Sequence, residues 1–284
     1  MRVLVLGVSG MLGNAMFRVL GQAPNVQVSG TARSESTRRY FEPALAEQIL
    51  TGIDVENQDA LVHVFAQVRP EVVINCVGLV KQLADAEDPL VALPINALLP
   101  HRLARLCSVA GARLVHISTD CVFAGTVGNY TESSVSDATD VYGKSKYLGE
   151  VRYPHTLTLR TSIIGHELNS AHGLVGWFLS QERSVKGYTR AVFSGLPTVE
   201  LSKVVRDVVL PRPDLHGLYH VAAAPIDKCS LLKIVAQVYG KKIEIVADDA
   251  VVVDRSLNAS RFQETTGYVA PPWPELIGRM YEFK

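Results

Sequence analysis

The sequence predicts a doubly wound α/β fold, in which a parallel sheet carries helices on both faces and a smaller C-terminal α+β lobe follows. Three observations carry this expectation. Short apolar runs recur along the first two-thirds of the chain and are too apolar for strands with one wet face. Segments of helical period separate them, and a glycine-rich turn joins the first run to the first helix. Strand, helix and strand in repetition require parallel pairing through right-handed crossovers.

Taken in order, residues 3–6, 26–29, 72–75, 114–117 and 156–159 read as strands. Residues 59–68 place Leu61, Val64, Phe65 and Val68 on one helical stripe, with Asp59 as the expected N-cap and Pro70 as the stop. Residues 100–110 repeat the pattern with Leu103, Leu106 and Ala110, and Gly111 supplies a left-handed end. From about residue 165 the regularity weakens as Gly173, Gly176, Gly187, Gly195 and Pro197 interrupt it. A helix over 202–210, a strand over 217–221 and a helix over 230–239 are expected there. A loop-rich tail then ends in a short helix after Pro271-Pro-Trp-Pro274.

Composition narrows the function classes. The 284 residues hold 28 basic and 28 acidic side chains and are 48% hydrophobic, so neither a nucleic-acid coat nor a polybasic membrane anchor is expected. The four cysteines, Cys76, Cys107, Cys121 and Cys229, stand far apart with no C-x-x-C pair, which fits a reducing compartment. The apolar N-terminal run is broken by Gly7, Gly10, Gly13 and Asn14, unlike a signal peptide. No uninterrupted apolar stretch approaches the roughly 18 residues of a membrane span, so the expected location is the cytoplasm.

Gly7-Val-Ser-Gly10-Met-Leu-Gly13 follows the first strand and opens a helix. Glycine there lets the backbone turn sharply and approach a pyrophosphate, whose charge rests on free N–H groups at the helix N-terminus. Ser9, Met11 and Leu12 complete the expected phosphate turn of a Rossmann domain. The spacing is G-x-x-G-x-x-G rather than G-x-G-x-x-G, and a tight turn without a ligand is the alternative. Residues 1–165 are therefore expected to form the dinucleotide-binding domain, with parts of 191–224 returning to it. Residues 166–284 would mainly form a substrate-binding lobe over the carboxyl edge of the sheet.

The second strand ends Gly30-Thr-Ala-Arg33, without the carboxylate that holds the ribose 2′-hydroxyl of NAD. Arg33, backed by Arg38 or Arg39, favours NADP(H) over NAD(H), which stays open as the second cofactor. A solvated arginine in an exposed turn is the alternative.

Tyr142-Gly-Lys-Ser-Lys146 places a phenol and an ammonium at i and i+4, on one helical face. An adjacent cation stabilises phenolate, so Lys146 is expected to lower the Tyr142 pKa and let Tyr142 give a proton to a carbonyl oxygen that receives hydride. Ser118-Thr-Asp-Cys-Val-Phe123 closes a buried strand at the ligand-binding edge. From there the Thr119 hydroxyl can hold the same oxygen, although strand-end capping is its ordinary use.

These motifs, in this order, resemble the extended short-chain dehydrogenase/reductases, and most of all the dTDP-4-dehydrorhamnose reductase family. The resemblance covers nearly the whole chain. Beyond the residues above it includes Asp54-Val55, Val73-Ile-Asn-Cys76, Gly149-Glu150, Leu159-Arg-Thr-Ser162, Gly195-Leu-Pro-Thr198 and Asp254-Arg-Ser-Leu257. It implies a reductase of the 4-ketone of a nucleotide-diphospho-6-deoxyhexose, with Thr119, Tyr142 and Lys146 as the catalytic set. It further implies that Lys146 holds the nicotinamide ribose, that Asp54 and Val55 flank the adenine, and that Cys76, Val77 and Gly78 line the cofactor. Asp120, Cys121 and Ile163 would then face the substrate. Two departures concern that substrate: the family usually has tyrosine at Cys121 and a Trp-Val-Tyr run at Ile163-Ile-Gly165. Both remove aromatic surface near the sugar.

The rivals are a sugar-nucleotide epimerase or dehydratase on the same scaffold and a non-catalytic NADP-binding regulatory subunit. Cys121 stands where dehydratases of the superfamily carry glutamate, which argues against dehydration. A homodimer is left open as the assembly. No metal site is expected, because Gly217 and the strand pattern keep His216 and His220 off a shared helix face, and Asp85, Glu87 and Asp88 read as a solvated cluster. Trp177 and Phe178 read as core, with contact to a nucleotide base as the alternative. Arg190 and Arg255 read as clamps for a substrate pyrophosphate or as surface ion pairs.

Overall fold

The computed structural model describes residues 1–79, 81 and 84–284. Its centre is a seven-stranded sheet. In chain order the strands are β1 (Arg2–Leu6), β2 (Gln27–Thr31), β3 (Ile49–Leu50), β4 (Val72–Asn75), β5 (Arg113–Thr119), β6 (Thr156–Thr161) and β7 (Gly217–His220). They lie in the order β7-β6-β5-β4-β1-β2-β3, all parallel. The order reverses between β1 and β4, and register sets Leu6 beside Thr31 and Asn75, so these strands end together at one crevice.

The period-2 alternation of β1 builds both faces of the core. Val3 and Val5 point into the larger cluster, with Phe17 and Leu20 of α1 (Met11–Gly21), while Leu4 and Leu6 point into the smaller one. On that second face lie Leu61, Val64 and Phe65 of α2 (Gln58–Val68), with Leu99, Leu103 and Cys107 of α3 (Leu99–Ala110). The larger cluster continues into Leu276, Ile277 and Met280 of the terminal helix Trp273–Glu282.

Several boundaries differ from the expectation. Asn57, not Asp59, caps α2, its side chain accepting the Ala60 N–H, and the helix ends on Arg69 in left-handed backbone before Pro70 can act. The second strand begins one residue late and runs on through Gly30 and Thr31, because Val26 is held in a turn by its N–H to the Ala23 carbonyl. Two-residue β3 carries no periodicity and was not foreseen. Gly111 ends α3 at φ 66°, as its position implied. Before α3 the chain is already helical, through Pro89–Ala92 and a wide π-type turn Leu93–Leu98 that contains Pro94 and buried Asn96. The helix expected over 202–210 starts earlier, at Thr198–Val204, and also continues as a wide turn, Val205–Val209. The helix Lys228–Tyr239 starts at its Asp227 cap.

Candidate active site

The glycine turn forms the first wall of the crevice. Gly7 sits at φ +85°, and a Cβ there would lie 2.9 Å from Val77 Cγ2. A Cβ on Gly13 would overlap the Gly7 carbonyl, so α1 packs directly on the turn that precedes it. Gly10 is the N-cap and offers no side chain to the first-turn amides of Met11, Leu12 and Gly13. Those amides and the positive end of the helix dipole form the kind of cradle that a pyrophosphate fits. Ser9 is exposed beside it, and Gly173 crosses close enough that its own Cβ would meet Met11 Cε at 2.6 Å.

The second wall follows β4. Cys76 N–H bonds the Leu6 carbonyl at 3.2 Å, and Val77 N–H bonds Asn75 Oδ1 at 3.1 Å. Asn75 is fully buried, its amide nitrogen 3.2 Å from His116 Nδ1. Burial pushes the Cys76 thiol up to about 12, so it is a neutral wall group. Leu79 N–H bonds Asn96 Oδ1 at 3.0 Å, and Asn96 Nδ2 donates to Ser145 Oγ at 3.1 Å. At Gly78 a Cβ would stand 3.7 Å from Lys146 Nζ. Gly7, Val77, Gly78 and Lys146 thus form one continuous surface.

The side chains expected to react stand on the adjoining edge. Thr119 ends β5 in extended backbone, its hydroxyl accepting the Cys121 N–H at 3.1 Å and lying 3.2 Å from Asp120 Oδ1. Tyr142 and Lys146 ride on α4 (Val141–Leu148), whose cap is Asp140: its Oδ1 accepts the Gly143 N–H at 2.6 Å. The Tyr142 phenol is buried in the neighbourhood of Thr119, Cys121 and Asp120.

The expected acidification of Tyr142 is not what the fold produces. Burial raises the phenol above its ordinary range, Cys121, Asp120 and Asp140 add to the rise, and the neighbouring Thr119 hydroxyl works against it. Lys146 is turned to the backbone, Nζ donating to the Ile117 carbonyl at 2.9 Å. Its own pKa falls to about 8 through burial, with Glu150 and Cys76 pulling the other way. At neutral pH Tyr142 is therefore a phenol carrying its proton, the state a proton donor needs.

Beneath this pair lies a buried charge network whose pairing gave no signal in the sequence, although Glu150 and Arg160 stand in motifs of the family resemblance. Glu150 receives Arg160 through both oxygens at 2.6 Å and accepts Ser118 Oγ at 2.8 Å. Arg160 Nη1 lies 3.3 Å from His220 Nε2, and His220 Nδ1 lies 3.0 Å from the Tyr130 carbonyl. His220 is thus committed to the core, its pKa lowered to about 4 chiefly by burial. Exposed His216 turns to the Asp214 carbonyl instead.

The remaining expected residues divide. Arg38 is tied to Glu35 at 2.6 Å and to the Ile49 carbonyl at 2.8 Å, and Arg39 bonds the Tyr40 hydroxyl. Arg33 is exposed past the end of β2, and among the described residues its guanidinium makes no hydrogen bond or ion pair. Asp54 and Val55 follow β3 beside it, since Ile53 N–H bonds the Ala32 carbonyl, and Asp54 Oδ1 accepts the Glu56 N–H. Ile163 pairs with Leu196 just beyond β6 and packs on the larger core. Asp120 is buried, its carboxyl pushed up by desolvation against the pull of Arg255. Phe178 is core, whereas Trp177 keeps 38% of its surface exposed. Arg255 is half-buried, with Nε on the Phe123 carbonyl at 2.7 Å, and Arg190 is exposed.

Comparison with known proteins identifies the family of the chain. The chain is 27% identical over 271 residues to the probable low-salt glycan biosynthesis reductase Agl14 of Haloferax volcanii, covering 91% of this chain and 85% of that one. It is 26% identical over 255 residues to the dTDP-4-dehydrorhamnose reductase of Salmonella typhimurium, covering 80% and 84%. Among solved structures, a dTDP-4-dehydrorhamnose reductase from Clostridium acetobutylicum superposes at TM-score 0.81 with 22% identity over 99% of each chain. One from Bacillus anthracis in complex with NADP does so at 0.79 with 20% identity, over 100% of this chain and 98% of that one. The family described as the RmlD substrate binding domain matches residues 1–282, and the chain belongs to it.

Proposed function

We propose that this protein is an NADPH-dependent reductase that converts the 4-ketone of a nucleotide-diphospho-6-deoxyhexose to an alcohol. The observation that carries the reading is the continuity of the glycine turn, Gly78, Lys146 and the hydroxyl pair of Thr119 and Tyr142 along one sheet edge. The relatives named as sugar-nucleotide reductases, and the solved relative in complex with NADP, support it.

The cradle fits a dinucleotide: Gly7, Gly10 and Gly13 let the backbone approach a pyrophosphate, and Arg33 presents an uncommitted cation where a 2′-phosphate would lie. When bound, NADPH supplies the hydride. Thr119 orients the ketone oxygen, Tyr142 gives it the phenolic proton, and Lys146 holds the nicotinamide ribose. Residues 166–284 would mainly bind the sugar nucleotide, residues 1–165 the cofactor.

Purified protein with NADPH and a panel of nucleotide-linked 4-keto-6-deoxy sugars should consume reduced nicotinamide, and NADH in parallel tests Arg33. Tightly held NAD with no net consumption would indicate an epimerase. The chain is also 28% identical over 149 residues to a methionine adenosyltransferase 2 subunit beta of Rattus norvegicus, covering 52% of this chain and 41% of that one. Inactivity on every keto sugar, with a co-purifying enzyme, would favour a regulatory subunit instead.

A further inference from the structure

Lys81 belongs to none of the motifs above, yet its ammonium reaches the catalytic helix. Nζ lies 2.6 Å from Asp140 Oδ2, while the other oxygen of that carboxylate caps α4 through Gly143. The same nitrogen stands 5.9 Å from the centroid of the Tyr142 ring, at the outer reach of a cation–π contact. Lys146, one helical turn beyond Tyr142, spends its ammonium on the Ile117 carbonyl. The cation that overlies the phenol ring thus comes from the segment after β4, not from α4 itself.

We propose that Lys81 is a positioning residue for Tyr142: it clamps the α4 cap to the segment after β4 and lays a positive charge over the ring. The assignment rests on Tyr142 acting as the proton donor of the reduction proposed above. In that step the phenolic O–H bond breaks, the proton passes to the ketone oxygen as the carbon receives hydride from NADPH, and the electron pair stays on the phenolate. A cation over the ring favours that charge distribution, which exists only after the proton has begun to leave.

The test compares wild type, Lys81→Met and Lys81→Arg as full-length protein loaded with NADPH. Lys81→Met should lower kcat about tenfold and raise the solvent deuterium isotope effect on kcat, with the KM for NADPH unchanged, and Lys81→Arg should recover most of the loss. Independently of turnover, amide exchange at Gly143 should quicken about fivefold in Lys81→Met and return in Lys81→Arg, at unchanged global stability. Unchanged Gly143 exchange, or a kcat loss that arginine does not recover, overturns the assignment. If wild type reduces no keto sugar while Gly143 exchange responds as stated, the reduction fails and the clamp stands.

Discussion

The two walls of the crevice are built from different materials. The glycine-turn side is shaped by backbone: Gly7, Gly10 and Gly13 matter for the side chains they lack, and Val77 and Leu79 are placed by their main-chain N–H groups, which donate to Asn75 and Asn96. The Tyr142 side is shaped by buried polar side chains, Lys146, Glu150, Arg160, Ser118 and Asp120, each at most 9% exposed. On the first wall a Cβ added at Gly7 or Gly13 collides. On the second, a change of charge leaves a partner unpaired in a medium that punishes it. One wall is a mould, and the other is a balance of charges.

That contrast can be broken or sharpened experimentally. The largest effect is expected for Tyr142→Phe, which keeps the ring and removes the proposed proton donor. Turnover should fall by roughly 10²–10⁴ while NADPH affinity, measured by nicotinamide fluorescence, stays near wild type. Next is Glu150→Gln, which strands the buried Arg160 guanidinium. Chemical denaturation should show a loss of about 3–5 kcal/mol. Gly13→Ala tests the mould: its methyl meets the Gly7 carbonyl, so NADPH binding should weaken more than tenfold, with a stability loss of about 1–3 kcal/mol.

Arg33→Ala should cost about tenfold in the NADPH over NADH preference, read as the ratio of kcat/KM values, and leave the fold unaffected. The smallest effect concerns pH. Because the Lys146 pKa is lowered to about 8, the folded protein binds fewer protons than the unfolded chain between there and the ordinary lysine range. Burying the charge therefore costs most below pH 8, and wild type should gain stability relative to Lys146→Met as pH rises from 8 toward 10. Denaturation midpoints that stay parallel across that range would contradict the buried-ammonium geometry.

The mould was legible in the sequence and the balance largely was not. A glycine turn between an apolar run and a helix is a local pattern, and so is Tyr142 four residues before Lys146. Asn96 meets Ser145 across 49 residues, and Arg160 meets His220 across 60. Only the strand order brings those pairs together. The expected acidified phenol failed for the same reason: helical spacing put Lys146 on the correct face, but the assembled fold buries the phenol, which raises its pKa, and the Ile117 carbonyl of β5 holds the ammonium. Short β3 and the left-handed Arg69 escaped because two residues have no period and a non-glycine helix end has no compositional mark.

The wide turn Leu93–Leu98 carries a consequence of its own. It gives Asn96 its angular position, from which one side chain serves both Leu79 and Ser145. Deleting one residue there would restore ordinary helical winding with the flanking helices nearly in phase, but it would remove the widening from which Asn96 reaches both partners. The helix would survive such a deletion while the bridge between the two walls did not, so this stretch should tolerate exchange of its letters far better than any change in their number.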